Sequence, residues 1–220
     1  MLRPKKIEAV LSVACVPNDL MKRHLKIQIL SIVIATPLLA ANPFLDAKND
    51  KPVSTNVRGM EWNDEYTNGD IPLTGRMITT RITTMPWGAI FKIEFTDLKS
   101  KAERKREIGP LYFIATDDHI YFMNEEDNAA AAKKIAGTDK APNFEQGDIR
   151  AIASGKMEFE EGPYTTTISS KGDECTYLTS HNSGHYTKFV WKKGAGLVEH
   201  SSNYGAAKDG FRLKRVNAKG

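Results

Sequence analysis

Between Arg76 and Val216 the chain is cut into short runs of β-forming residues, each closed by Gly, Pro, Asn or Asp. A chain punctuated this way cannot build long helices, and its apolar residues must meet across strands. Ile90 to Phe95 shows the pattern plainly. Phe91, Ile93 and Phe95 fall on one side and Lys92 and Glu94 on the other, the period of a half-buried strand. Arg76 to Thr84 is rich in Ile and Thr, and Leu111–Ala115 and His119–Met123 flank a tight turn at Thr116-Asp117-Asp118. Further strands are expected at Ile149–Ala153, Lys156–Glu160, Tyr164–Ser169, Cys175–His181, His185–Lys192, Leu197–Ser202 and Phe211–Val216. The expected fold is mainly β, an antiparallel sandwich or barrel-like sheet.

One short α-helix interrupts the pattern, with Asn124 as its expected N-cap. Glu125, Glu126 and Asp127 suit its positive end, the alanines favour it, Lys133 and Lys134 suit its last turn, and Gly137 suits the residue after it. With Ile135 its only large apolar residue, this helix can approach a sheet closely but buries little.

The N-terminus reads as an export signal. Lys22-Arg23-His24-Leu25-Lys26 is basic, Ile27 to Leu39 is apolar, and Ala40-Ala41 are small, the three zones of a cleavable signal peptide. The apolar run is about two thirds of the ~20 residues a membrane-spanning helix needs, so no stable anchor is expected after cleavage. Residues 1–41 are therefore assigned to a leader with its start at Met21, residues 42–56 to a flexible polar lead-in, and residues 57–220 to a single β-rich domain. The expected location is the periplasm, or outside the cell.

Of the 31 basic residues six precede Asn42, and of the 27 acidic residues two do, which leaves 25 of each in the remainder. The basic balance thus belongs to the leader, and the domain lacks the cationic excess of a nucleic-acid binder. Cys15 lies in the leader, so Cys175 stands alone in the domain and the fold must rest on its core.

Chemistry-bearing residues concentrate between Cys175 and Trp191. With Asn182-Ser183-Gly184 as a three-residue hairpin loop and Gly184 left-handed, His181 faces His185, Thr179 faces Thr187, Tyr177 faces Phe189 and Cys175 faces Trp191. That face is the candidate interior. A metal ion could be held by His181 and His185 with His200 or His119, although the further Cys or carboxylate ligands of common metal motifs are missing. A nucleophilic Cys175 would need an exposed, electropositive setting, and its place opposite Trp191 argues against one. No G-x-S-x-G elbow is present. Acidic groups such as Asp117-Asp118 and Glu158 to Glu161 fall in turns and strand ends. The run Lys99 to Arg106 is a basic connection able to meet an anionic surface, diluted by Glu103. The stretch from Phe189 to Ala206, with its Trp strand turning at Gly194-Ala195-Gly196, resembles the closing hairpin of many small exported bacterial proteins, a resemblance that implies no activity.

No cofactor is required by any of these patterns. The expectation is an exported, non-catalytic envelope protein that binds another macromolecule, such as an inhibitor or immunity protein. The alternatives are a small-ligand or metal-binding periplasmic β-barrel and an envelope hydrolase with an unfamiliar site.

Overall fold

The computed structural model describes residues 42–45, 51–63, 69–102, 106–125, 127–205 and 208–216. The leader and signal peptide expected over residues 1–41 lie outside the described residues. Twelve antiparallel strands form one sheet: β1 (Val53–Asn63), β2 (Ile71–Met85), β3 (Gly88–Ser100), β4 (Leu111–Ala115), β5 (His119–Phe122), β6 (Ile149–Ile152), β7 (Gly155–Glu161), β8 (Tyr164–Lys171), β9 (Glu174–His181), β10 (Tyr186–Lys192), β11 (Gly196–Tyr204) and β12 (Asp209–Arg215). Their spatial order is β6-β5-β4-β3-β2-β1-β12-β11-β10-β9-β8-β7, with the first strand paired to the last in the middle of the sheet. The sheet curls into a nearly closed barrel. Of the two architectures expected, the barrel is the one formed.

Alternation decides what faces inward. Phe91, Ile93 and Phe95 are buried, as are Cys175, Tyr177, Phe189, Trp191, Phe211 and Leu213. The hairpin between β9 and β10 has the register its turn chemistry predicts: Thr187 opposite Thr179, Phe189 opposite Tyr177, Trp191 opposite Cys175. Gly184 carries the left-handed conformation at φ 89°, and His181 N donates to His185 O at 2.8 Å. Inside, Phe113 meets the edges of Phe189 and Trp191 with ring centroids 5.8 Å and 5.0 Å apart, packing opposite walls of the barrel together.

Closure is not made by a ladder. The edge strands β6 and β7 do not pair with each other; β6 lies against β8 and β9. Its exposed backbone groups are satisfied by inward-facing side chains of the opposite wall. Trp191 Nε1 donates to Arg150 O at 3.1 Å, Ser170 Oγ donates to Ala153 O at 3.1 Å, and Ile152 N donates to Cys175 Sγ at 3.5 Å. Arg150 marks a break in the β5–β6 register, and its guanidinium lies over Phe122 and Tyr177, 5.2 Å and 4.6 Å from the ring centroids. The sheet is therefore a roll whose edge abuts its own inner face.

The helix α1 (Asn128–Ala136) packs outside the barrel, its Ala132 buried against Met85, Ile90, Ile114 and Met123. Its N-cap is Asp127 rather than Asn124, the Asp127 carboxylate accepting from Ala129 N and Ala130 N. Gly137 ends it as expected.

Two segments differ from the sequence reading. The polar lead-in expected over 42–56 is instead structured at both ends where it is described. Val53 opens β1, and Phe44 and Leu45 are buried in the core at 1 % and 3 % exposure. Asn42 makes this possible. Its carboxamide oxygen accepts from Phe44 N and Leu45 N, and its nitrogen donates to Thr116 O and His119 O. Gly194 N donates to Pro43 O, so the segment plugs one end of the barrel between two turns. The connection expected at Asp97 to Glu107 begins later than its charge suggests, because β3 continues to Ser100.

The seam generates a test. Trp191→Phe keeps most of the ring but strands the Arg150 carbonyl in the core, which costs about 1–3 kcal/mol in addition to the lost packing. Chemical denaturation is expected to show a lower midpoint with the slope unchanged. A variant indistinguishable from the parent would mean that the seam does not hold the roll.

Candidate functional site

The two ends of the barrel differ in chemistry. One end is sealed by Asn42 to Leu45. At the other, β1, β3, β7, β9 and β11 end, and Glu61, Arg106, Thr166 and Thr179 lie toward it.

At the rim of that open end stands the histidine hairpin. The His181 and His185 rings are 6.0 Å apart, with Tyr164 beside the first at 5.2 Å and Tyr204 beside the second at 5.9 Å. His181 Nδ1 accepts the Ser183 backbone N–H at 3.0 Å and lies 2.6 Å from Ser183 Oγ, so one of its two ligand nitrogens is occupied within the loop. His200 is not part of this cluster. It stacks on Phe189 at 4.7 Å inside the barrel, with Phe95 and Phe211 as its other ring neighbours. His119 is elsewhere again, 2.7 Å from Asp118 and stacked on Tyr121. The structure thus brings His181 and His185 together and leaves His200 and His119 apart from them. Among the described residues no group of three His, Cys, Asp or Glu side chains stands where it could hold a metal ion.

Cys175 is fully buried, and its sulfur is the acceptor for Ile152 N at the seam. Burial pushes its thiol up, although the Ile152 N–H and the charge of Lys193 oppose that. A raised thiol without access is the reverse of an activated nucleophile.

A polar cluster that the sequence did not single out lies inside the open end. Glu61, on β1, points inward and is 2 % exposed. Arg106 enters from the segment after β3. Its Nε donates to Glu61 Oε2 at 3.2 Å, and its Nη2 donates to Asp209 Oδ1, to Gly210 O at 3.1 Å and to Trp62 O at 3.4 Å. Trp62 Nε1 in turn donates to Asn203 Oδ1 at 2.8 Å. Arg106 was legible only as one charge in the basic run Lys99 to Arg106, where solvation is the usual fate. Among the described residues, Glu61 Oε1 and His200 Nδ1 are the buried side-chain polar atoms without a hydrogen-bond partner. Phe211 links them, being opposite Glu61 in the β1–β12 register and 4.9 Å from the His200 ring.

The outer wall carries a different charge pattern. Exposed Arg58, Arg76, Arg212 and Lys214 stand on β1, β2 and β12, with Arg58 directly opposite Lys214. A groove of about 470 Å³ on this wall includes Arg58, Arg76, Lys99 and Asp97. Its neighbour Glu199 is 8 % exposed and bound by Lys188 and Lys214 at 3.1 Å each. Burial alone would raise the Glu199 carboxyl, and the two ammonium groups overcome that and hold it below its ordinary value. From Glu107 to Glu174, by contrast, acidic residues outnumber basic ones about two to one.

Burial pushes the His200 imidazole down to about 3. Its folded value lies below its unfolded one, so the unfolded chain binds the proton more readily, and stability is lost as pH falls from about 6.5 towards 3. His200→Phe is expected to flatten that part of the stability profile in denaturant melts at pH 4 and pH 7, relative to the parent. An unchanged profile would show that the imidazole is not held neutral. No protein family, no curated protein and no solved structure matches this chain.

Proposed function

We propose that this chain is an exported envelope protein, resident in the periplasm or outside the cell, that binds another macromolecule and does no covalent chemistry on it. The observation that carries this reading is the cationic outer wall of β1, β2 and β12. The domain has equal numbers of acidic and basic residues, yet it segregates them, with Arg58, Arg76, Lys99, Arg212 and Lys214 exposed on one side. Like charges placed directly opposite one another, as Arg58 and Lys214 are, weaken a sheet. Glu199 offsets that cost at Lys214 and Asp97 stands beside Arg76, and the wall still carries an excess of exposed cations, with Arg58 and Arg212 facing solvent.

Such a wall suits a partner with an acidic surface. Complementary charge speeds encounter and fixes orientation, and it excludes partners of the wrong sign. An inhibitor or immunity protein would use it to cover the mouth of an acidic secreted enzyme or toxin. The buried thiol of Cys175 and the neutral, ring-stacked His200 support binding over catalysis, because both are committed to the core. The small-ligand alternative rests on a different observation, the buried Glu61 Oε1 that has no hydrogen-bond partner, and concerns the opposite side of the sheet.

The test uses the full chain, expressed with its own N-terminus and a C-terminal tag. Fractionation should place it outside the cytoplasm, and capture from envelope extract should recover one macromolecule in near-equal amount. Binding should be strong at about 0.05 M salt and weak at about 0.5 M, where screening shortens to a few ångströms. The double variant Arg58→Glu, Arg212→Glu should lose it. A partner retained equally by that variant would refute the assignment of the face, and recovery of the chain in the cytoplasm would refute the envelope reading.

A further inference from the structure

Among the described residues the two edges of the roll differ. That of β6 is received by the opposite wall. On the other edge, β7 pairs with β8 from Gly155 to Glu161 in one unbroken register, and no backbone bond joins it to any other described segment. Only its last residue is approached, the Glu161 carboxylate lying against Gly147. The loop Gly162-Pro163 has two residues, so Glu161 and Tyr164 exchange both of their backbone bonds, which fixes the alternation along the strand. Gly155, Met157, Phe159 and Glu161 turn their backbone groups to β8. Lys156, Glu158 and Glu160 turn theirs to the free side, and their side chains are exposed on the outer face.

An edge of this length, with no proline and no bulge, is a template for another strand. Its side chains specify which one. In a second copy related by a twofold axis through Glu158, every outward residue of one strand faces an outward residue of the other. Lys156 of each copy then stands opposite Glu160 of the other, two pairs of opposite charge. Glu158 faces its own counterpart, and each already holds Lys156 at 2.7 Å. On the inner face Met157 of each copy comes opposite Phe159 of the other. Both are only partly buried against the core, and the pairing covers their remaining surface. A shift of two residues in either direction leaves an outward residue of each copy without one to face. A strand of another protein would gain the backbone bonds, but only a second copy is supplied with these side-chain matches by the chain itself.

We propose that β7 is the interface of a twofold dimer, in which the strands of two copies pair antiparallel about Glu158 and join the sheets edge to edge. The interface shares no residue with the cationic wall of β1, β2 and β12, and the two readings can fail separately.

The experiment is equilibrium sedimentation of the protein, purified from cells expressing the full chain, over about 1 to 200 µM, where a modest interface associates. A monomer–dimer equilibrium is expected. Glu158→Pro removes an amide that β8 does not use and should abolish the dimer. Lys156→Glu or Glu160→Lys alone turns both charge pairs into like-charge pairs and should weaken association about tenfold or more. Exchanging the two, Lys156→Glu with Glu160→Lys, restores opposite charges and should recover the parent's association to within about threefold. These charge variants lie at exposed positions and decide the matter if the proline variant does not fold. Arg58→Glu, Arg212→Glu should leave the dimer intact. A monomer throughout would leave the edge to a different partner and overturn the proposal. A dimer undiminished by a folded Glu158→Pro variant, or an exchange variant as weak as the single ones, would overturn it equally.

Discussion

The architecture depends on how the edge of β6 is buried. An open sheet leaves two rows of unpaired backbone groups, and a sheet of this width must either pair them, cover them or expose them to other chains. Here the edge of β6 is received by Ser170, Cys175 and Trp191, side chains that already face inward as members of the opposite wall. The aromatic core and the closure are thus the same set of residues. Arg150 completes the seam from the other side, its charge resting between two rings in place of a carboxylate partner. A buried cation of this kind is tolerable because the guanidinium is weakly hydrated and also donates to the carbonyls of Gly147 and Ile149.

The seam residues Ser170, Cys175 and Trp191 stand at the ends of β8, β9 and β10 nearest the plug, and the polar groups Glu61, Thr166 and Thr179 lie towards the open end. There the inner face changes from Trp191 and Phe189 to Thr187, Thr179 and Thr166, whose hydroxyls at positions 166 and 179 lie 3.0 Å apart. Glu61 and Arg106 belong to the same gradient. The barrel is apolar and plugged at one end and polar and accessible at the other, while its outside is cationic on one arc and acidic on another. Neither pattern shows in the net charge of residues 42–220, where 25 basic and 25 acidic residues balance.

Much of the fold was legible because its determinants are local. The β9–β10 register follows from a glycine in a three-residue loop, and α1 from an acidic start, an alanine body and a terminal glycine. Sandwich and barrel were not separable, since both need the same inward alternation, and only the seam distinguishes them. The first strand was hidden because its inward positions include Gly59 and Glu61, so its apolar period is broken where the site lies. Arg106 was misplaced for a related reason. Whether a loop arginine turns inward depends on carboxylates more than forty residues away in one direction and a hundred in the other, and no local pattern reports that. The histidines at 181 and 185 were paired correctly from the turn, while His200 was grouped with them by residue type alone.

Asn42 links the end of the expected leader to the interior of the barrel. Its carboxamide makes four hydrogen bonds, two that shape its own turn and two that fasten it to the β4–β5 connection, and Phe44 and Leu45 follow it directly into the core. On the expected cleavage after Ala40 or Ala41, the new N-terminus is the cork of the barrel itself. Loss of Asn42 to Leu45 would take from this end of the barrel two core side chains that are 1 % and 3 % exposed, and with them the bonds that tie the segment to the β4–β5 turn and to Gly194.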